Sequence, residues 1–187
     1  MNNGFQGFGG SGGLGSGIGS GAAFGFPNNI LLCDPALSFG TAAGVFAQAA
    51  VAAINTAYYV PFTSPVDFKI TKLWTVLAGG APAGNFDMGL YKGNSLVFSQ
   101  GTVAVGAAGA KSVACNIQIA KNVRYYTAFA STSTSNAWAG FGLGASYSDA
   151  FGIAKETAYP LPAASTKVAI GAVGLATPVL IAEIAAP

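Results

Sequence analysis

The chain has 187 residues, enough for one domain whose core needs no staples. Only 7% of them are Asp, Glu, Lys or Arg, against roughly 25% in an ordinary soluble domain, and 52% are hydrophobic, so the surface reads as one covered by neighbours. Histidine is absent, which removes Ser-His-Asp and Cys-His catalysis and the commonest metal ligand, and the +2 net charge is scattered over eight basic residues instead of forming the basic stripe that nucleic-acid binding requires.

Residues 1–27 form a glycine-rich opening, with no charged side chain before Asp34. Glycine has the most conformational entropy to lose, so this segment builds no core of its own. Phe5, Phe8, Leu14, Ile18, Phe24 and Phe26 nevertheless recur along it. Each can fill a shallow pocket while the glycines let the backbone lie close to a surface. The expectation is an extended arm, anchored by those six side chains, that orders on a partner; the plain alternative is a low-complexity linker. Gly7, Gly9 and Gly12, and again Gly10, Gly12 and Gly15, match the dinucleotide fingerprint in letters only, since neither set follows a strand or opens a βαβ unit. No secretory signal is expected, because a basic start and a compact apolar run are both missing.

Residues 28–56 read as a transitional segment. Its Ala-rich part, Ala42 to Ile54, suits a short helix by propensity or a strand leading into the next zone, and extended chain is the preferred reading. Residues 57–187 read as a β-domain. TAYYVPF is aromatic and β-branched, and Pro61 and Pro65 close it. VDFKITKLWTVL alternates cleanly at first, with Val66, Phe68 and Ile70 on one face and Asp67, Lys69 and Thr71 on the other. After Lys72 the alternation blurs, which predicts a bulge or burial on both faces. GGAPAGN is a loop by composition. NFDMGLYKGNSLVFS predicts a hairpin turning at Lys92 to Ser95, with positive φ at Gly93 and Asn94 and a shared face for Phe86, Met88 and Leu90. KSVACNIQIA alternates throughout, with Val113, Cys115, Ile117 and Ile119 pointing one way. VRYYTAFAS, WAGFGLGASY, TKVAIGAV and PVLIAEI complete about eight short strands, and no long helix is expected. The fold class is therefore all-β: an antiparallel β-sandwich or jelly roll with an extended glycine-rich N-terminal arm.

Chemistry-bearing residues are few. Cys33 and Cys115 stand in no metal-like spacing and suit two free, buried thiols better than one disulfide. The six acidic residues, Asp34, Asp67, Asp87, Asp149, Glu156 and Glu183, are never closer than seven positions apart. A carboxylate pair could form only through the fold. No catalytic residue, cofactor or metal is expected, and so no enzyme. Val168 to Ala186 and Ala36 to Val60 are apolar or uncharged but broken by Gly, Pro, Asn or Glu, so neither is expected to span a bilayer. Tyr58, Tyr59, Trp74, Tyr91, Tyr125, Tyr126 and Trp138 are read as core or subunit-contact residues, with a sugar-stacking platform as the alternative.

Three of these segments carry a resemblance. Tyr59 to Phe62 is an aromatic strand ending in Pro-Phe, Gly89 to Tyr91 is a Gly-Leu-Tyr hairpin strand, and Arg124 to Ala128 is an Arg-Tyr-Tyr-x-Ala strand. In this order, over roughly residues 56–145, the chain resembles the β-sandwich virion proteins of tailed bacteriophages, among them capsid decoration proteins, head fibres and tail fibres. The resemblance implies a non-enzymatic virion protein of head or tail; the first of two expectations puts it at the capsid surface. Its partners would be the major capsid protein, other virion proteins and further copies of itself, with no nucleic acid or membrane. A decoration (cement) subunit is the first expectation. A tail-fibre or receptor-binding module contacting host glycans is the second.

Overall fold

The computed structural model describes residues 29–32, 47–50, 53–143, 152–170 and 175–185. The opening segment with Phe5, Phe8, Leu14, Ile18, Phe24 and Phe26 lies outside the described residues, as do Cys33, Asp34 and Asp149. Every regular element among the described residues is a β-strand. One seven-stranded antiparallel sheet, sheet A, contains β1 (Asn29–Leu31), β2 (Ala47–Ala50), β4 (Phe68–Gly80), β8 (Gly109–Ile119), β10 (Asn136–Leu143), β13 (Leu175–Pro178) and β14 (Ile181–Ala185). The other, sheet B, contains β3 (Thr56–Thr63), β5 (Asn85–Lys92), β6 (Ser95–Ser99), β7 (Val103–Ala104), β9 (Arg124–Ser131), β11 (Ala154–Thr157) and β12 (Val168–Ala169).

The pairing is nested. β5 pairs β6 across the turn, β4 pairs β8, β3 pairs β9, and β2 pairs β10. Folding this long hairpin over itself places β3-β9-β5-β6 in one sheet and β2-β10-β4-β8 in the other, which is a jelly roll. The remaining strands extend its edges. Residues 175–185 pass from β10 to β4, and Val179 and Leu180, both buried, fill the fork between those strands.

Two residues, Gly93 and Asn94, join β5 to β6; only Gly93 has positive φ, at 59°, so the second position needs no left-handed residue. Phe86, Met88 and Leu90 share the inward face as expected. The blurred alternation after Lys72 is a bulge at Thr71: Phe68 and Ile70 point inward before it, and Leu73, Thr75 and Leu77 after it. Inward-facing pairs need two residues on β14 (Ile184 to Ala182), three on β4 (Ile70 to Leu73) and four on β8 (Ile117 to Val113) to cross this level. Successive strands thus follow longer arcs, and the sheet bends there.

The core lies between the sheets. Trp138 from sheet A is fully buried with its ring 5.0 Å from Phe86 and 4.7 Å from Phe129, both of sheet B. Phe62 stacks on Tyr125 at 5.7 Å. Several expectations are corrected. The described strands number fourteen, well above about eight, because β1, β2, β7, β11 and β12 are too short to show a period. PVLIAEI is two strands with a crossing between them, and Gly79 and Gly80 belong to β4 instead of the following loop. β1 and β2, from the transitional segment, already belong to sheet A, and Ala47–Ala50 are extended as preferred.

Candidate interaction surfaces

The outer face of sheet B is sealed by its own chain. Residues 158–167 cross it and close a second, smaller core of Ala57, Tyr59, Tyr91, Ala128, Ala130, Ala154 and Leu161. Gly89 lets this strap approach: a Cβ there would stand 2.9 Å from Leu161 Cδ1 and 2.3 Å from the Phe98 carbonyl oxygen. Lys167 latches the strap's end. Its Nζ lies 4.2 Å from the Tyr126 ring centre and 5.4 and 5.8 Å from those of Tyr59 and Tyr91, and it donates to Gly93 O, Asn94 Oδ1 and Ser165 Oγ at 2.6, 2.8 and 2.9 Å. Burial pulls the Lys167 pKa down and pushes the Tyr91 hydroxyl up to about 12. The Tyr59 hydroxyl is raised too, by burial first and then by its hydrogen bond to Glu156. Glu156 accepts from Tyr59 OH through Oε1 and from the Thr166 N–H and hydroxyl through Oε2, at 2.7 and 2.8 Å.

Asp87 is the buried charge of this face, fully enclosed although its place opposite Phe86 and Met88 reads as solvent-facing. Its oxygens accept from Ser99 Oγ at 2.8 and 2.9 Å and from the Leu161 N–H at 3.0 Å, tying the strap to β5. Burial raises its pKa, and the Leu161 and Ser99 hydrogen bonds oppose the rise. A raised carboxyl binds its proton more tightly in the folded than in the unfolded chain. Its contribution to stability therefore grows as pH falls through the folded pKa and is smallest at neutral pH and above. Asp87→Asn keeps an acceptor for Leu161 without the charge. Thermal melts should show this variant at least as stable as the parent at pH 7, with the difference shrinking towards about pH 4. A gap that widens on acidification would show that the buried charge carries no penalty.

The other described carboxylates hold structure as well. Asp67 accepts the Lys121 N–H at 2.8 Å, and Glu183 meets Lys72 Nζ at 2.8 Å on the outer face of sheet A. Among the described residues no group of three His, Cys, Asp or Glu could hold a metal ion. No helix there is long and apolar enough to cross a membrane. Cys115 carries a free thiol, half-buried instead of buried as expected, because among the described residues β8 pairs on one side only, with β4. Of the aromatics, Tyr58, Tyr59, Tyr91, Tyr125 and Trp138 are buried and unavailable to a ligand, whereas Tyr126 and Trp74 are half-buried.

Sheet A presents the more open surface. Trp74 lies on its outer face between Ser112 of β8 and Ile181 of β14, and Ser112, Ala114, Asn116 and Gln118 form an exposed row beside it. Beyond β8 the two sheets part in a cleft of about 440 Å³, between β7 and β8, floored by Phe86, Val105 and Val113. Gln100 also lines it, and its side-chain Nε2 is shielded from solvent with no acceptor. Sequence reasoning missed this cleft, the strap and the Lys167 latch, since each depends on residues far apart in the chain. Comparisons with protein-family models, curated proteins and solved structures find no match for this chain.

Proposed function

We propose that this protein is a non-enzymatic structural component of a bacteriophage virion, a capsid decoration (cement) subunit that binds the major capsid protein shell at its outer surface. The observation that carries the reading is the placement of the three resembling segments: Tyr59 to Phe62, Gly89 to Tyr91 and Arg124 to Ala128 fall on β3, β5 and β9, adjacent strands of one jelly-roll sheet. Jelly rolls host viral capsid domains and lectins, so the fold admits the role without fixing it. The scarcity of charge and the structural employment of Asp67, Asp87, Glu156 and Glu183 favour a binding role over catalysis.

In this reading the sandwich sits over joints in the shell and the arm runs along its neighbours. A specific contact of this kind buries roughly 1,200–2,000 Å². Ordering a glycine-rich ribbon costs about 1–2 kcal/mol per residue, and each docked Phe, Leu or Ile contributes about 1.5–3 kcal/mol. Six anchors do not offset the whole segment, so backbone hydrogen bonds to a partner, as in strand addition, must contribute. Deleting residues 1–27 is expected to leave a folded sandwich that no longer decorates purified shells; unchanged occupancy would refute the arm's role. The glycan-contact reading keeps one supporting feature, half-buried Trp74 beside the polar row of β8. Binding of the full-length protein to host glycans, with no affinity for shells, would favour it.

A further inference from the structure

We infer that the cleft between β7 and β8 receives the Phe24–Phe26 stretch of a second copy's arm as an added strand, so that copies are linked in series. The inference rests on the reading of residues 1–27 as an anchoring arm. Both walls of the cleft are strand edges: among the described residues β7 is paired only with β5, and β8 only with β4. The long edge of β8 carries a row of N–H and C=O groups on its outer side, a ready template for an extended chain, while the two-residue β7 forms the facing wall. Small exposed residues, Ala104, Gly106 and Ala110, line the cleft beside the buried Phe86 and Val105, and polar Gln100 and Ser112 share the lining with these apolar groups. Val103 is 42% exposed in this position. Lys111 is the sole charged residue lining the cleft, and its ammonium is already donated to the Ala107 carbonyl. Gln100 Nε2 is a shielded donor lacking an acceptor, which a passing backbone carbonyl would supply.

The occupant must therefore be extended, uncharged, small in its backbone profile and apolar on one face. Ala22, Ala23, Phe24, Gly25 and Phe26 meet each condition, with the two rings on the same face of an extended chain. Chain length decides whose arm it is. Residue 29 opens β1, and the order β1-β14-β4-β8 puts that strand about 14 Å across sheet A from β8. Fully stretched, Phe26 stands at most about 11 Å from Asn29, and Phe24 about 18 Å. The path must also pass over the sheet and round its far edge. A chain's own two rings cannot both enter its own cleft, whereas a neighbour's can.

The test uses full-length protein. Phe24 is replaced by p-benzoylphenylalanine in isotopically heavy protein, which is refolded together with light protein carrying natural Phe24 and irradiated. Mass spectrometry should find heavy arm peptides joined to light peptides from residues 100–113. Ala104→Arg in the light copy, a change at an exposed rim position, should lower that yield about tenfold by placing a charge in the path. Crosslinks confined to heavy peptides, crosslinks elsewhere, or a yield unmoved by Ala104→Arg would each overturn the inference. No shell is present in this experiment. Linked copies that fail to decorate shells would sink the virion reading alone, and decorating protein without these crosslinks would sink this inference alone.

Discussion

Trp138→Ala is expected to destabilise the protein by about 3–5 kcal/mol, a large share of the 5–15 kcal/mol that holds a typical domain. The indole is the largest side chain in the core, and it is the piece of sheet A that reaches Phe86 and Phe129 of sheet B. Removing it leaves a cavity walled by two rings whose strands, β5 and β9, are fixed by pairing to each other and cannot collapse inward. Trp138→Phe should cost much less. It keeps a ring between the sheets and removes an indole N–H that is buried without an acceptor. Urea unfolding followed by circular dichroism would separate the two variants. An alanine variant that unfolds within about 0.5 kcal/mol of the parent, the range of ordinary surface changes, would show that the sheets are not held together here.

Gly89→Ala is the second large effect, and its cause is space. The added carbon would stand 2.3 Å from the Phe98 carbonyl oxygen, which belongs to the paired strand β6, and 2.9 Å from Leu161. The leucine can swing, but the carbonyl moves only if β5 and β6 separate. A loss of about 1–3 kcal/mol, or more, follows from overpacking at a site with a fixed wall. The strap should loosen as well, because Leu161 is held between this glycine and Asp87. Faster proteolysis between residues 158 and 167, together with a lowered melting temperature, is the expected pair of observations. Gly93→Ala provides the contrast: nothing lies within 4 Å of its added carbon, and its φ of 59° costs only about 1–2 kcal/mol. Equal melting temperatures for Gly89→Ala and the parent would mean that the strap does not lie where Leu161 places it.

Local chemistry made much of the sandwich legible. β8 declared itself through unbroken alternation, the β5–β6 hairpin through Gly93 between two apolar runs, and the bulge at Thr71 through the change of phase after Lys72. What stayed hidden was set by partners distant in sequence. Asp87 alternates with Phe86 and Met88 and so reads as facing water; only the strap, more than seventy positions later, encloses it. Tyr59, Glu156 and Lys167 meet for the same reason. β11 and β12 present too few residues to show a period, and Trp138 gave no sign of which side of its strand would be covered. The cleft at β7 and β8 was invisible because a gap between two sheets has no signature in either strand.

The nested pairing also fixes which order of assembly avoids closing long loops. If β3 met β9 directly in the open chain, Tyr58 would have to find Phe129 across everything between them. Once Lys92 and Ser95 have joined, each outer pair forms at the end of structure already in place, and only a short stretch remains to be closed. The nested pairs are thus ordered outward from one tight turn, with β2 and β10 the outermost of them.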